Sequence, residues 1–366
     1  MRLLLSMFAA LALGTVVLSQ ALPDRAPAVE EGAADRVAAA FVGPLAELYA
    51  VELVGRADAM VSGTSATAMP LPWAPQPVRL TAADEPPLTA ATHALVMDEA
   101  SGAVLYTHGD PHEPSKPASL TKIVTAVVAL EQGNLDEVVE VDVDSHDMPG
   151  SSLMGLRPGD RFTLRDLLYG LMLPSGNDAA LAIGRHIAGS DAAFVEEMNA
   201  LVRRLGLRDS HFANPHGLSA PEHYMSAYDL AMISRFAMTF PEFRKVVAAS
   251  HYDASGSRTI EMRSLISGMI QWVPGVDGVK SGFTYEAGRT MVTSAVRDGR
   301  RVFAVVLNDE TREVDSAALL TWAFDTFEWN GTPAPGQPAF VESPVESPTV
   351  PGAPEDDAPV EAARAD

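Results

Sequence analysis

No cysteine occurs anywhere in the chain, so disulfides, thiolate catalysis and Cys-ligated zinc are excluded and the fold must stand on packing alone. Basic residues are scarce: 26 Lys and Arg stand against 48 Asp and Glu, a formal net charge of −22. Binding to a phosphate backbone depends on Lys and Arg displacing counterions, so no nucleic-acid partner is expected. The nine histidines contain no His-Glu-x-x-His, and His211 and His216 stand five apart with no obvious helix between them. No metal and no cofactor are called for, and His216 reads as structural. No internal repeat is evident. The apolar run from Leu3 to Leu18 is shorter than the roughly 20 residues of a bilayer-spanning helix.

What is present is a globular composition, 47% hydrophobic and 20% charged, enough for a sizeable core. Met1-Arg2, the apolar run and the small residues of Ser19-Gln20-Ala21 have the form of a secretory signal over residues 1–21, with cleavage expected after Ala21 and retention as an anchor the alternative. Residues 22–87 are rich in Ala, Pro and acidic side chains and read as an N-terminal extension, with one helical stretch from Ala33 to Ala59 interrupted at Pro44. Residues 330–366 form an acidic, Pro-rich tail whose low hydrophobicity cannot offset the entropy of ordering it, and it is expected to stay disordered.

Between them the pattern is sheet, helices, sheet, helix. Ala94 to Met97 and Ala103 to Tyr106 flank the turn-forming Asp98 to Gly102, which predicts a β-hairpin. A helix follows Pro117, carries Leu120, Ile123, Val124, Val127 and Val128 at helical spacing, and stops near Gly133. Further helices are expected over Leu164 to Met172, Asp178 to Ile187, Asp191 to Leu205, and Ser226 to Met238, the last with a capping box of Ser226 and Asp229. Arg289 to Val296 and Arg301 to Leu307 read as a second hairpin, followed by a helix from Val314 to Phe327. This order fits an α+β domain whose sheet is assembled from both ends of the chain around a helical middle.

Three short segments could carry chemistry. Ser119-Leu120-Thr121-Lys122 places a hydroxyl and an amine on one helical face, and a lysine of lowered pKa can activate a serine nucleophile. Ser175-Gly176-Asn177 follows Pro174 between two helices and can aim a hydroxyl and an amide into a cleft. Lys280-Ser281-Gly282-Phe283 lies in an alternating segment that fits an edge strand, with Gly282 allowing another backbone to approach. Each also has an ordinary reading: Ser119, Ser175 and Asn177 as helix caps, Lys122 as a solvated first-turn residue, Lys280 as an edge guard.

Taken together and in this order, serine-x-x-lysine, serine-x-asparagine and lysine-hydroxyl-glycine resemble the signature of penicillin-binding proteins and serine β-lactamases. The intervals of 56 residues from Ser119 to Ser175 and 105 from Ser175 to Lys280 suit that superfamily. Pro117 to Lys122, Ser175-Gly176-Asn177-Asp178-Ala179, Asn214-Pro215-His216-Gly217-Leu218 and Val276 to Lys280 resemble the low-molecular-mass D-alanyl-D-alanine carboxypeptidases, peptidase family S11. The resemblance covers roughly Thr92 to Phe327, within a domain placed at residues 88–329.

What that resemblance implies is a β-lactamase/transpeptidase-like fold, a five-stranded antiparallel sheet flanked by helices beside a mostly helical region. It implies an acyl-enzyme on Ser119, Lys122 as base and Ser175 as proton relay. Asn177, Lys280, Ser281, Gly282, Phe283 and Arg312 would bind substrate, with the backbone N–H groups of Ser119 and Phe283 as oxyanion hole. The implied partners are peptidoglycan stem peptides ending in D-Ala-D-Ala and β-lactam antibiotics as covalent inhibitors, and the implied location is the periplasm or cell envelope. Ser281 stands where the family usually has threonine, so tuned specificity is expected. The acidic tail stands where many members have a small β domain and a basic amphipathic helix, which leaves membrane association open. A D,D-endopeptidase would use the same chemistry. A class A β-lactamase needs a Glu-x-x-x-Asn loop, and here Val195 precedes Asn199 and Ser210 precedes Asn214.

Overall fold

A computed structural model describes residues 78–80 and 85–329. The signal segment 1–21, the helical stretch expected from Ala33 to Ala59 and the tail 330–366 lie outside the described residues. In chain order the elements are β1 (Val78–Leu80), β2 (His93–Asp98), β3 (Val104–His108), α1 (Lys122–Gln132), β4 (Val138–Glu140), β5 (Arg161–Thr163), α2 (Leu164–Met172), α3 (Asn177–Ala188), α4 (Asp191–Arg204) and α5 (Ala227–Ala237). There follow α6 (Pro241–Ala248), β6 (His251–Ser255), β7 (Thr259–Arg263), α7 (Ser267–Trp272), β8 (Val276–Thr284), β9 (Gly288–Arg297), β10 (Arg300–Leu307), α8 (Arg312–Thr326) and β11 (Phe327–Trp329). β1, which falls within residues 22–87, pairs antiparallel with β11.

The main sheet has five antiparallel strands in the order β3-β2-β10-β9-β8. Its central strand β10 is buried at every position, which is why Val302 to Leu307 reads as an unbroken apolar run rather than an alternation. One sheet face presents Ala94, Val96, Val302, Ala304, Val306, Met291 and Ala295 to Leu319, Leu320 and Ala323 of α8, every second residue along each strand as the pleat requires. On the other side α5 lies against β2 and β10, and α6 against β8. The β9–β10 hairpin turns through Asp298 and Gly299, with φ of 50° and 73°; two consecutive positive φ values are what a type I′ turn needs and what Asp-Gly tolerates.

The helical region is organised around α1, whose residues Lys122 to Ala129 are all buried because α2, α3, α4 and α5 surround it. A helix enclosed on all sides is apolar all round, and here the exceptions are Lys122 and Thr125, whose hydroxyl donates to the Pro215 carbonyl at 2.6 Å. The helix expected from Pro117 begins differently: Ala118–Thr121 form a tighter 3-10 turn, and α1 proper starts at Lys122. The capping box expected at Ser226 is half formed. Ser226 accepts from the Asp229 N–H, but the Asp229 carboxylate turns away to accept from the Asp209 N–H and the Ser210 hydroxyl, both at 2.8 Å. A complete box occurs instead at Thr163 and Asp166. The β6–β7 hairpin, the β4–β5 ribbon and helices α6 and α7 add to the expected elements.

Candidate active site

The 3-10 turn and α1 bring Ser119 and Lys122 together. Ser119 makes no cap bond, and Lys122, far from being solvated, is fully buried. Its Nζ lies 3.1 Å from Ser119 Oγ, 2.6 Å from Asn177 Oδ1 and 2.6 Å from the His216 carbonyl oxygen. Amide and peptide oxygens only accept, so they take two N–H bonds from the amine. A neutral amine has two, and its lone pair is then left for the serine hydroxyl. Burial first, then the nearby Lys280 charge, push the Lys122 amine well below its ordinary range, with Asp178 opposing. Desolvation disfavours the ammonium, which is the state a general base must avoid.

Ser175, Gly176 and Asn177 enter α3 without serving as caps: Gly176 is the N-cap and no side chain caps the helix. Ser175 has a φ of 65° and a buried Oγ with no protein partner, and it lines the same cleft as Ser119. Asn177 is committed to Lys122 and is bonded through its own N–H to the Ser152 carbonyl. The next residue, Asp178, is expected from the sequence only as a helix start and a member of the Ser175 to Ala179 segment. It is fully buried and accepts from the N–H groups of Met154, Gly155, Leu156 and Ala179 at 2.8, 2.7, 2.9 and 2.9 Å. The cleft wall at Gly150, Ser151 and Ser152 is thereby tied to the start of α3. Asp178→Asn would face the Gly155 and Leu156 donors with an amide N–H group, and unfolding stability should fall by about 2 to 5 kcal/mol. A denaturant midpoint equal to that of the parent would contradict this.

The opposite wall is β8, an edge strand as expected. Ser281, Gly282 and Phe283 line the cleft. A Cβ on Gly282 would lie 2.9 Å from the Ser119 nitrogen, so this strand and the turn that carries Ser119 are packed backbone to backbone. Phe283 is half exposed and meets Tyr285 edge-on at 5.6 Å. Lys280 is buried below the cleft surface, with Nζ donating to the Ser281 carbonyl at 2.8 Å. Burial and then the Arg312 charge lower its pKa to about 7. Arg312, at the start of α8, lines the cleft and is fixed by bonds to the carbonyls of Gly282 (2.6 Å) and Thr290 (3.2 Å) and to Glu313 (2.8 Å). Seven of the nine expected site residues line one cleft; Lys122 lies beneath it in contact with Ser119 and Asn177, and Lys280 is buried behind Ser281. His216 contributes more than packing, but through its main-chain carbonyl, which side-chain chemistry could not have signalled.

Comparison with known proteins agrees with this geometry. The family model Peptidase_S11, D-alanyl-D-alanine carboxypeptidase, matches residues 80–311. The chain belongs to this family. It is 38% identical over 259 residues to D-alanyl-D-alanine carboxypeptidase DacD of Salmonella typhimurium, covering 67% of this chain and 65% of that protein. It is 34% identical to DacF of Bacillus subtilis, covering 65% and 63%, so the chain spans just under two thirds of the length of these relatives. Among solved structures, the DD-transpeptidase of Streptomyces K15 matches with a TM-score of 0.62 at 31% identity, over 66% of this chain and all of that one. Penicillin binding protein 6B of Escherichia coli matches with a TM-score of 0.60 at 38% identity, over 67% and 80%. The S11 fold, an α+β transpeptidase-like arrangement with its five-stranded antiparallel sheet, is the one seen here.

Proposed function

We propose that this chain is a serine-type D-alanyl-D-alanine carboxypeptidase that removes the terminal D-alanine from peptidoglycan stem peptides and is acylated by β-lactams. The observation that carries the reading is the buried Lys122 amine, held by two obligate acceptors with Ser119 Oγ at 3.1 Å. Lys122 takes the hydroxyl proton as Ser119 Oγ attacks the carbonyl of the penultimate residue. The oxyanion forms against the N–H groups of Ser119 and Phe283. Collapse breaks the peptide bond, the proton passes to the departing D-alanine nitrogen by way of Lys122 and the Ser175 hydroxyl, and water then hydrolyses the ester. Lys280 and Arg312 supply positive potential for the terminal carboxylate. The signal-like N-terminus supports export, with action in the periplasm or cell envelope.

Penicillin should leave one stable adduct on Ser119, read by intact mass, because none of the described residues lining the cleft is a glutamate that could speed deacylation. Its absence in Ser119→Ala is expected; an adduct on that variant would remove the nucleophile assignment. Release of a single D-alanine from a D-Ala-D-Ala peptide supports the carboxypeptidase reading, and cleavage confined to cross-linked dimers would favour a D,D-endopeptidase.

Lys280 should set the alkaline side of the pH profile. With a pKa of about 7, it is charged below that pH and neutral above, so acylation by anionic ligands should fall as pH rises through that range. Lys280→Ala should abolish this limb. It should also move the acidic limb to higher pH, since the Lys280 charge helps hold Lys122 neutral. A profile unchanged in both limbs would exclude Lys280 from the site.

A further inference from the structure

We infer that His223 is a positioning residue for the nucleophile, acting through Thr121 to hold the Ala118 carbonyl and with it the turn that presents Ser119. The inference rests on the reading of Ser119 as nucleophile. Ala118 has a φ of 51°, a left-handed conformation that a residue with a Cβ adopts only when its surroundings impose it. Its carbonyl accepts from Thr121 Oγ1 at 2.9 Å, and Thr121 Oγ1 lies 2.9 Å from His223 Nε2. At the other side of the ring, the Ala213 N–H donates to His223 Nδ1 at 3.1 Å.

The donors dictate one arrangement of protons. A backbone N–H can only donate, so Nδ1 carries no proton and, in the neutral ring, Nε2 carries it. Thr121 Oγ1 accepts that proton's bond and spends its own hydrogen on the Ala118 carbonyl. Ala118, Thr121 and His223 are sealed from solvent, so no water replaces a lost link. The same carbonyl is hemmed in by Gly217, where an added Cβ would come within 1.9 Å of it. Phe212 meets the His223 ring edge-on at 5.6 Å, and Lys116 Nζ donates to the His223 carbonyl at 3.1 Å.

The groups acting on the ring are Lys116, Lys122, His211 and His216. None is a carboxylate, and Glu222 beside it in sequence is exposed. Nothing therefore favours a second ring proton, which would set an N–H against the Ala213 N–H and break the chain of bonds. Burial, followed by Lys116, accordingly lowers the His223 pKa to about 4, so the positioning bonds persist across neutral pH.

The test is a cycle of variants in the full chain, with penicillin acylation of Ser119 followed by time-resolved intact mass and thermal unfolding recorded in parallel. Thr121→Val and His223→Leu should each slow acylation by about 10- to 100-fold, and the double variant should be no slower than the slower single, because both break the same link. His223→Gln, whose amide can accept from Ala213 and donate to Thr121, should recover most of the rate and carries the test if the leucine variant does not fold. Additive losses in the double variant, a glutamine variant as slow as a disrupted one, or lowered melting temperatures with parental acylation rates would each overturn the inference. Adduct on Ser119→Ala would mark failure of the underlying nucleophile reading instead.

Discussion

Lys122→Arg should lower the rate of Ser119 acylation about a thousandfold or more. An arginine can go on donating to Asn177 Oδ1 and the His216 carbonyl, the two acceptors that hold Lys122, but its guanidinium does not release a proton at accessible pH. The substitution therefore separates the base from the positioning cation. Since the site is fully buried and arginine is larger, Lys122→Met serves as the companion: nearly the same length, no proton to exchange. It should be equally slow, with a somewhat lowered melting temperature, because the buried Asn177 and His216 oxygens lose their donor. Time-resolved mass spectrometry with penicillin, together with thermal unfolding, reads both. Acylation within tenfold of the parent in a folded arginine variant would end the case for Lys122 as base.

Gly282→Ala should cost about 10²- to 10³-fold in acylation, the scale on which oxyanion stabilisation is lost. The added Cβ would lie 2.6 Å from Thr290 Oγ1, 2.9 Å from the Ser119 nitrogen and 3.1 Å from the Ala118 Cβ. Two of these neighbours belong to the turn at Ala118 and Ser119. The third is no freer, since Thr290 Oγ1 bonds the Pro117 carbonyl at 3.2 Å. β8 must shift from the turn, which parts the Ser119 and Phe283 N–H groups and disturbs the Arg312 bond to the Gly282 carbonyl. Adduct should still form on Ser119, slowly, in a protein with the parental far-ultraviolet spectrum. A rate near that of the parent would show that the two backbones have room to spare.

Much of this arrangement was legible locally. Asp298-Gly299 between two apolar runs suits the β9–β10 turn, and Thr163 and Ser226 cap α2 and α5, because turns and caps are decided by a few neighbouring residues. The β6–β7 hairpin was not legible: β6, His251–Ser255, buries only Ala254 outright, so its alternation is too weak to separate strand from loop. The start of α1 was misplaced for a related reason. Apolar spacing cannot distinguish a 3-10 turn from the first turn of an α-helix, and the difference decides where Ser119 points.

The residue types, their order and their intervals by themselves determined the three motifs, the edge character of β8 and the family those features resemble, since all depend on spacing along the chain. Only the tertiary structure decided what Lys122 is chemically. Its two acceptors come from 55 and 94 residues further along the chain, and its burial comes from four helices packed around α1. A pKa depends on the local dielectric and on charges across space, and neither is a property of a segment. The same holds for Asp178 and His223: each sits in a stretch that says nothing of its partners until folding sets the loop before α3 and the turn before α1 against them.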